Sequence, residues 1–189
     1  MKNKLIFTLL FLFGTSMLII YHIHSLKITA ENNENLKQTN EEIILIYIGS
    51  SECYYCNDKS LPAVISSISD NLETIAYKSD MSFKSIGSTI DYNLDLSFKH
   101  IEKIGSFDEI NIGGGSNNVL TMYLYEKGST VIAVPQITIL YRKYNPPIVN
   151  NESIKVIEKD SILFQTAGLN NIHGLDAKLK THSFSLINF

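Results

Sequence analysis

A chain of 189 residues has room for one ordinary domain of roughly 100–200 residues. Its 44% hydrophobic and 19% charged residues are a globular balance, which excludes a wholly disordered polar chain. The 16 Lys+Arg against 19 Asp+Glu leave a net charge of −3 with no basic cluster, so nucleic acid is not an expected partner, and the 2 cysteines exclude a disulfide-rich scaffold and a four-thiolate zinc site.

Lys2 and Lys4 precede an apolar stretch from Leu5 to Ile23, about long enough for the ~30 Å hydrocarbon core of a bilayer. Residues 1–24 read as a signal anchor or transmembrane helix. A cleaved secretory signal is the other reading, although the nearest cleavage candidate, Lys27-Ile28-Thr29-Ala30, lacks a small residue at its first position. Either reading exports the rest of the chain. Residues 25–42 form a polar linker, and a domain over 43–189 follows it.

Ile43 to Ile48 is apolar at every position, the pattern of a strand covered on both faces. After Gly49-Ser50-Ser51 come Cys53 and Cys56. Leu61, Val64, Ile65, Ile68, Leu72 and Ile75 then recur at helical intervals, with Pro62 expected to kink the helix. A strand is expected from Ser82 towards Asp91. A helix through Leu94, Phe98, Ile101 and Ile104 should follow, capped by Gly105. Phe107–Ile112 reads as a short strand and Asn117–Glu126 as a helix. Val131–Tyr141 reads as a strand broken by Pro135. The turn Asn145-Pro146-Pro147 leads to an antiparallel strand around Ile154, Val156 and Ile157, and a helix near Leu175–Leu179 closes the chain. Strands alternate with helices and end in a hairpin, a three-layer α/β plan with a central mixed sheet.

Cys53-Tyr54-Tyr55-Cys56 falls where a buried strand is expected to turn into a helix. Unpaired N–H groups at such a junction stabilise a thiolate, so Cys53 is the expected nucleophile and Cys56 the residue that closes the disulfide. Together with strand Ile43–Ile48, the Pro62 helix and Val134-Pro135-Gln136 opening a late strand, the motif resembles the thioredoxin superfamily. The inserted stretch Ser82–Ile112 and the N-terminal segment resemble membrane-anchored TlpA/ResA-type thiol–disulfide oxidoreductases. The resemblance implies a thioredoxin-like fold, catalytic Cys53 and Cys56, a cis Pro135 facing the pair, and Val134 pairing with an extended substrate. It implies no dissociable cofactor. The implied partners are exported proteins with cysteines or disulfides and a membrane or periplasmic redox partner, with the domain on the extracytoplasmic side of the cell membrane.

The chain departs from that family twice. A buried acid six residues before the first cysteine is replaced by Tyr47, and a Trp directly before the motif by Glu52, whose carboxylate would oppose a Cys53 thiolate. Two other readings of the cysteine pair remain at this point. One is a structural disulfide in a redox-inert binding module, although so short a loop constrains the unfolded chain little. The other is copper or zinc held by both thiolates with His100, His173 or His182, none of which has a regularly spaced neighbouring ligand. Gly113-Gly114-Gly115 lacks the Lys-Ser/Thr of a phosphate loop and reads as a loop before a helix.

Overall fold

The computed structural model describes residues 39–115, 118–129, 133–145, 148–149, 152–153 and 156–181. The expected anchor over 1–24 and all but the last four residues of the linker lie outside the described residues. Among the described residues, no helix is long and apolar enough to cross a membrane.

Strands β1 (Glu41–Gly49), β2 (Ser82–Thr89), β3 (Glu109–Ile112), β4 (Gln136–Asn145) and β7 (Val156–Ala167) form one mixed sheet in the order β3-β2-β1-β4-β7. β1, β2 and β3 run parallel; β4 is antiparallel to β1, and β7 to β4. Two short strands, β5 (Ile148–Val149) and β6 (Glu152–Ser153), pair with each other beyond β4.

The unbroken apolar run of β1 has its reason in the layers around it. Successive side chains point to opposite faces of a strand. Ile43, Leu45 and Tyr47 enter a core with α1 (Leu61–Lys78), α2 (Leu94–Ile104) and α4 (Leu169–Lys180). Ile44, Ile46 and Ile48 enter a second core with Leu124 of α3 (Val119–Glu126). Each fully buried aliphatic side chain contributes roughly 1.5–3 kcal/mol, so this central strand anchors both layers.

Five sequence expectations are corrected. Pro62 does not kink α1. The helix begins at Leu61, which puts the proline in the first turn, where a missing N–H leaves no bond unmade. β1 begins at Glu41 rather than Ile43, because Glu41 and Glu42 stand opposite Lys143 and Arg142 of β4, and Glu42 accepts a hydrogen bond from the Tyr144 hydroxyl at 2.7 Å. β4 begins at Gln136, directly after Pro135, where the strand is expected to break because a proline supplies no donor to a sheet ladder, and it runs on to Asn145 rather than ending at Tyr141. β7 reaches Ala167, far beyond Ile157, and α4 starts at Leu169, well before Leu175.

Candidate functional site

The parallel register aligns Gly49, at the end of β1, with Thr89, at the end of β2. The loops leaving both strands therefore emerge side by side. Asp91, in the second loop, accepts from the Ser50 hydroxyl at 2.6 Å and from the Ser51 N–H at 2.8 Å. Asn57 ties the far side of the first loop, donating to the Ser51 and Cys53 carbonyl oxygens at 2.7 and 3.0 Å. Lys103 of α2 donates in turn to the Asn57 side-chain oxygen at 3.1 Å. The cysteine loop is thus clamped from α2 and from the loop after β2.

Both cysteines are free. Cys53 is half-buried and Cys56 fully buried, the asymmetry expected of an attacking and a resolving thiol. The motif is not on the first turn of the long helix, however. Cys56 lies in a single 3-10 turn, Tyr55–Asn57, and α1 starts only at Leu61. The break comes at Asp58, which is extended and accepts from both the N–H and the hydroxyl of Ser60 at 2.8 and 2.6 Å. What Cys53 Sγ receives is one N–H, from Cys56 at 3.2 Å, in place of the dipole of a long helix. Glu52 is exposed, and its N–H donates to the Ser50 hydroxyl at 3.3 Å.

The Val134–Pro135 bond is cis. Val134 presents its carbonyl oxygen to Cys53 Sγ at 3.5 Å, so the loop before β4 does face the cysteine pair. Beside Val134, on the α3 face of the sheet, is a cavity of about 220 Å³ lined chiefly by Ile48, Ile90, Leu124, Tyr125 and Val134.

Below Cys56 lies the second feature of the site. Tyr47 is fully buried, and its hydroxyl hydrogen-bonds His100 Nε2 at 3.0 Å. The rings of His100 and Phe107 flank the Tyr47 ring at 6.1 Å each between centroids. A methyl group at Gly49 would fall on the Tyr47 hydroxyl and within 2.6 Å of His100 Nε2, so only glycine leaves this pair its space. Burial, followed by repulsion from the two cysteines when charged, pushes the Tyr47 phenol well above its ordinary range. Burial likewise pushes the Cys56 thiol up, with Cys53 adding to the effect.

Burial holds His100 below the ordinary histidine value of 6.5, against the raising effect of Asp91. Between the two values the unfolded chain binds a proton at this position that the folded chain does not. Stability therefore rises with pH through that window. The contribution is complete above about 6.5 and is lost as pH falls through the folded value. Urea unfolding between pH 5 and 8 should show a steeper acid-side decline in wild type than in His100→Gln; identical slopes would mean that His100 titrates freely.

Of the histidines considered as metal ligands, His100 is engaged with Tyr47, His173 hydrogen-bonds Ser60 at 3.0 Å, and His182 lies outside the described residues. Among the described residues, no three His, Cys, Asp or Glu side chains form a group that could hold a metal ion. Sequence reasoning overlooked Asp91 and Asn57. The signal for Asp91 was an acid just beyond the end of a strand parallel to β1; Asn57 carried none.

The mixed five-stranded sheet, flanked by helices and carrying a cysteine pair opposite a cis-proline loop, fits a thioredoxin-like α/β fold. No protein-family model and no curated protein sequence matches the chain. Among solved structures, a thioredoxin-like protein from Bacteroides caccae is similar at 13% identity and a TM-score of 0.41, over 78% of this chain and 43% of that one. This chain thus spans less than half of that protein. The thioredoxin domain of a thiol-disulfide oxidoreductase from Bacteroides vulgatus matches at 17% identity and a TM-score of 0.36, covering 74% of this chain and 82% of that one. A Sco/SenC-family lipoprotein from Bacillus anthracis matches at 11% identity and a TM-score of 0.33, over 80% and 85%. The fold assignment rests on strand order and site placement, not on these distant similarities.

Proposed function

We propose that this chain is an exported thiol–disulfide oxidoreductase, anchored by residues 1–24, spaced by 25–42, and active through the domain over 43–189. The observation that carries the reading is the unequal pair of free thiols facing the Val134–Pro135 loop: Cys53 accessible, Cys56 buried one short turn away with its N–H on Cys53 Sγ. Cys53 thiolate attacks a substrate disulfide, one substrate thiolate leaves, and Cys56 attacks Cys53 Sγ to release the second. Substrate gains two electrons and the protein dithiol becomes a disulfide; the reverse sequence oxidises a substrate dithiol. Val134 supports an extended substrate by backbone pairing. Substrates are exported proteins bearing cysteines or disulfides, and a membrane or periplasmic redox partner resets the pair.

Equilibrating the full chain in graded glutathione buffers, followed by alkylation and mass analysis, tests this. The expected result is a reversible two-electron transition of Cys53 and Cys56 between about −270 and −120 mV, the span of known exchange proteins. A pair that stays fully reduced or fully oxidised across the series would identify a redox-inert module instead.

A further inference from the structure

Helix α3 is apolar on both its inward and its outward side. Inward, Leu124 is buried in the core with Ile48, and Leu120 and Tyr123 pack against that core. Outward, Val119, Met122 and Tyr125 recur every three positions and are 73%, 49% and 38% exposed. A helix with apolar residues all round is ordinarily covered on every side. The surrounding sequence is uncharged as well: no acidic or basic residue occurs from Ile110 to Tyr125. Tyr125 belongs both to this outward stripe and to the lining of the cavity of about 220 Å³ beside Val134. Stripe and cavity are therefore continuous, and none of the described residues lining the cavity is charged.

We propose that the cavity and the outward stripe of α3 form a docking site for an apolar side chain of a polypeptide substrate, at the residue next to the cysteine that reacts with Cys53. The inference rests on the thiol–disulfide reading above and adds the class of substrate. Val134 joins the two sites. Its carbonyl oxygen is 3.5 Å from Cys53 Sγ, and the same residue lines the cavity and packs against the core of Ile48 and Leu124. The motif loop leads into α1 on one face of the sheet, whereas the cavity lies on the other, with Ile48. Side chains of an extended segment point alternately to opposite sides. A substrate segment paired with Val134 that aims its cysteine at Cys53 therefore aims the adjoining side chain toward the cavity.

The site selects by size and polarity. An apolar cavity of roughly 150 Å³ takes a benzene ring. The volume here, about 220 Å³, takes the side chain of Leu, Met or Phe. A charged side chain would lose its water among uncharged neighbours, a cost that the described lining does not offset. Glutathione carries charged ends and no apolar side chain, so it meets Cys53 without filling the cavity. Large apolar side chains are mostly buried in folded proteins, so an unfolded chain is the partner that presents one beside a cysteine.

The test measures the second-order rate at which the reduced full chain attacks short peptides, each carrying one cysteine as a mixed disulfide with thionitrobenzoate. The peptides differ only in the residues flanking that cysteine, which are Leu, Ala or Gln; Gln matches the length of Leu without its apolar surface. The Leu peptide should react at least about 10-fold faster than the Ala peptide, the discrimination a single methylene commands in a hydrophobic pocket, and the Gln peptide should match Ala. Thr121→Leu, which fills the cavity from α3, should bring the Leu-to-Ala ratio close to one, and Met122→Lys on the outward stripe should lower it. Equal rates for the three peptides in wild type, a result independent of how the variants fold, would overturn the docking site and leave the exchange reading intact. A wild-type ratio in both variants would overturn it too. So would a dimer of the wild-type chain in sedimentation velocity that Met122→Lys dissolves, because the stripe would then belong to a second copy. No reaction with any peptide or with glutathione disulfide would overturn the exchange reading and the docking site together.

Discussion

If the proposed exchange holds, Cys56→Ser should accumulate stable mixed disulfides with cysteine-bearing proteins, and Cys53→Ser should accumulate almost none. The asymmetry follows from exposure: Cys53 is within reach of a substrate and Cys56 is fully buried. Removing the buried thiol leaves attack intact and deletes the intramolecular step that ends it. Intramolecular groups held in place act at effective concentrations far above any free thiol, so turnover in Cys56→Ser should fall by roughly 10³-fold or more. Non-reducing electrophoresis of cells expressing each variant, with mass analysis of the trapped adducts, reads the result. Equal trapping by the two variants would reverse the assignment of nucleophile and resolver.

Asp91→Ala should cost about 3 kcal/mol and slow exchange with glutathione disulfide. The Asp91 carboxylate is 8% exposed and accepts from the Ser50 hydroxyl and the Ser51 N–H at 2.6 and 2.8 Å. Hydrogen bonds to a charged acceptor contribute about 1.5–3 kcal/mol each, and their loss is not additive when both donors belong to one loop. The same two bonds set where the chain leaves β1, three residues before Cys53. Released, the loop no longer holds Cys53 Sγ near the Val134 carbonyl, and a displacement of that kind should slow attack by roughly tenfold to 100-fold. Urea unfolding and the rate of Cys53–glutathione formation measure the two effects separately. A variant within about 0.5 kcal/mol of wild type, exchanging at the same rate, would show that Asn57 and Lys103 hold the loop unaided.

Much of this was legible in the residues. The all-apolar run Ile43–Ile48 announced a strand covered on both faces, and the cysteine spacing and Pro135 located the two sides of the site. The unread parts have physical reasons. Glu158-Lys159-Asp160-Ser161 hides the length of β7, because its stability comes from across the sheet: Asp160 pairs with Arg142 at 2.9 Å and Glu158 with Lys143 at 3.1 Å. Asn170, Asn171 and Gly174 are poor helix formers, so only Leu175–Leu179 showed the helical period; packing of Ile172, Leu175 and Leu179 into the α1 face overrides propensity. The meeting of Tyr47 with His100, 53 positions apart, belongs to the tertiary fold and has no local signature.

The unequal burial of the two sulfurs also decides how the protein meets peroxide. Oxidation to sulfenic acid and beyond falls on accessible sulfur, which here is Cys53. Cys56, whose N–H already touches that sulfur, stands where it can condense with a sulfenic acid and expel water before a second oxidation makes the damage permanent. Cys56 itself is sealed beneath the loop and meets oxidant only when the loop opens. The same geometry that separates attacker from resolver therefore confines irreversible oxidation to one residue and places its rescue one short turn away.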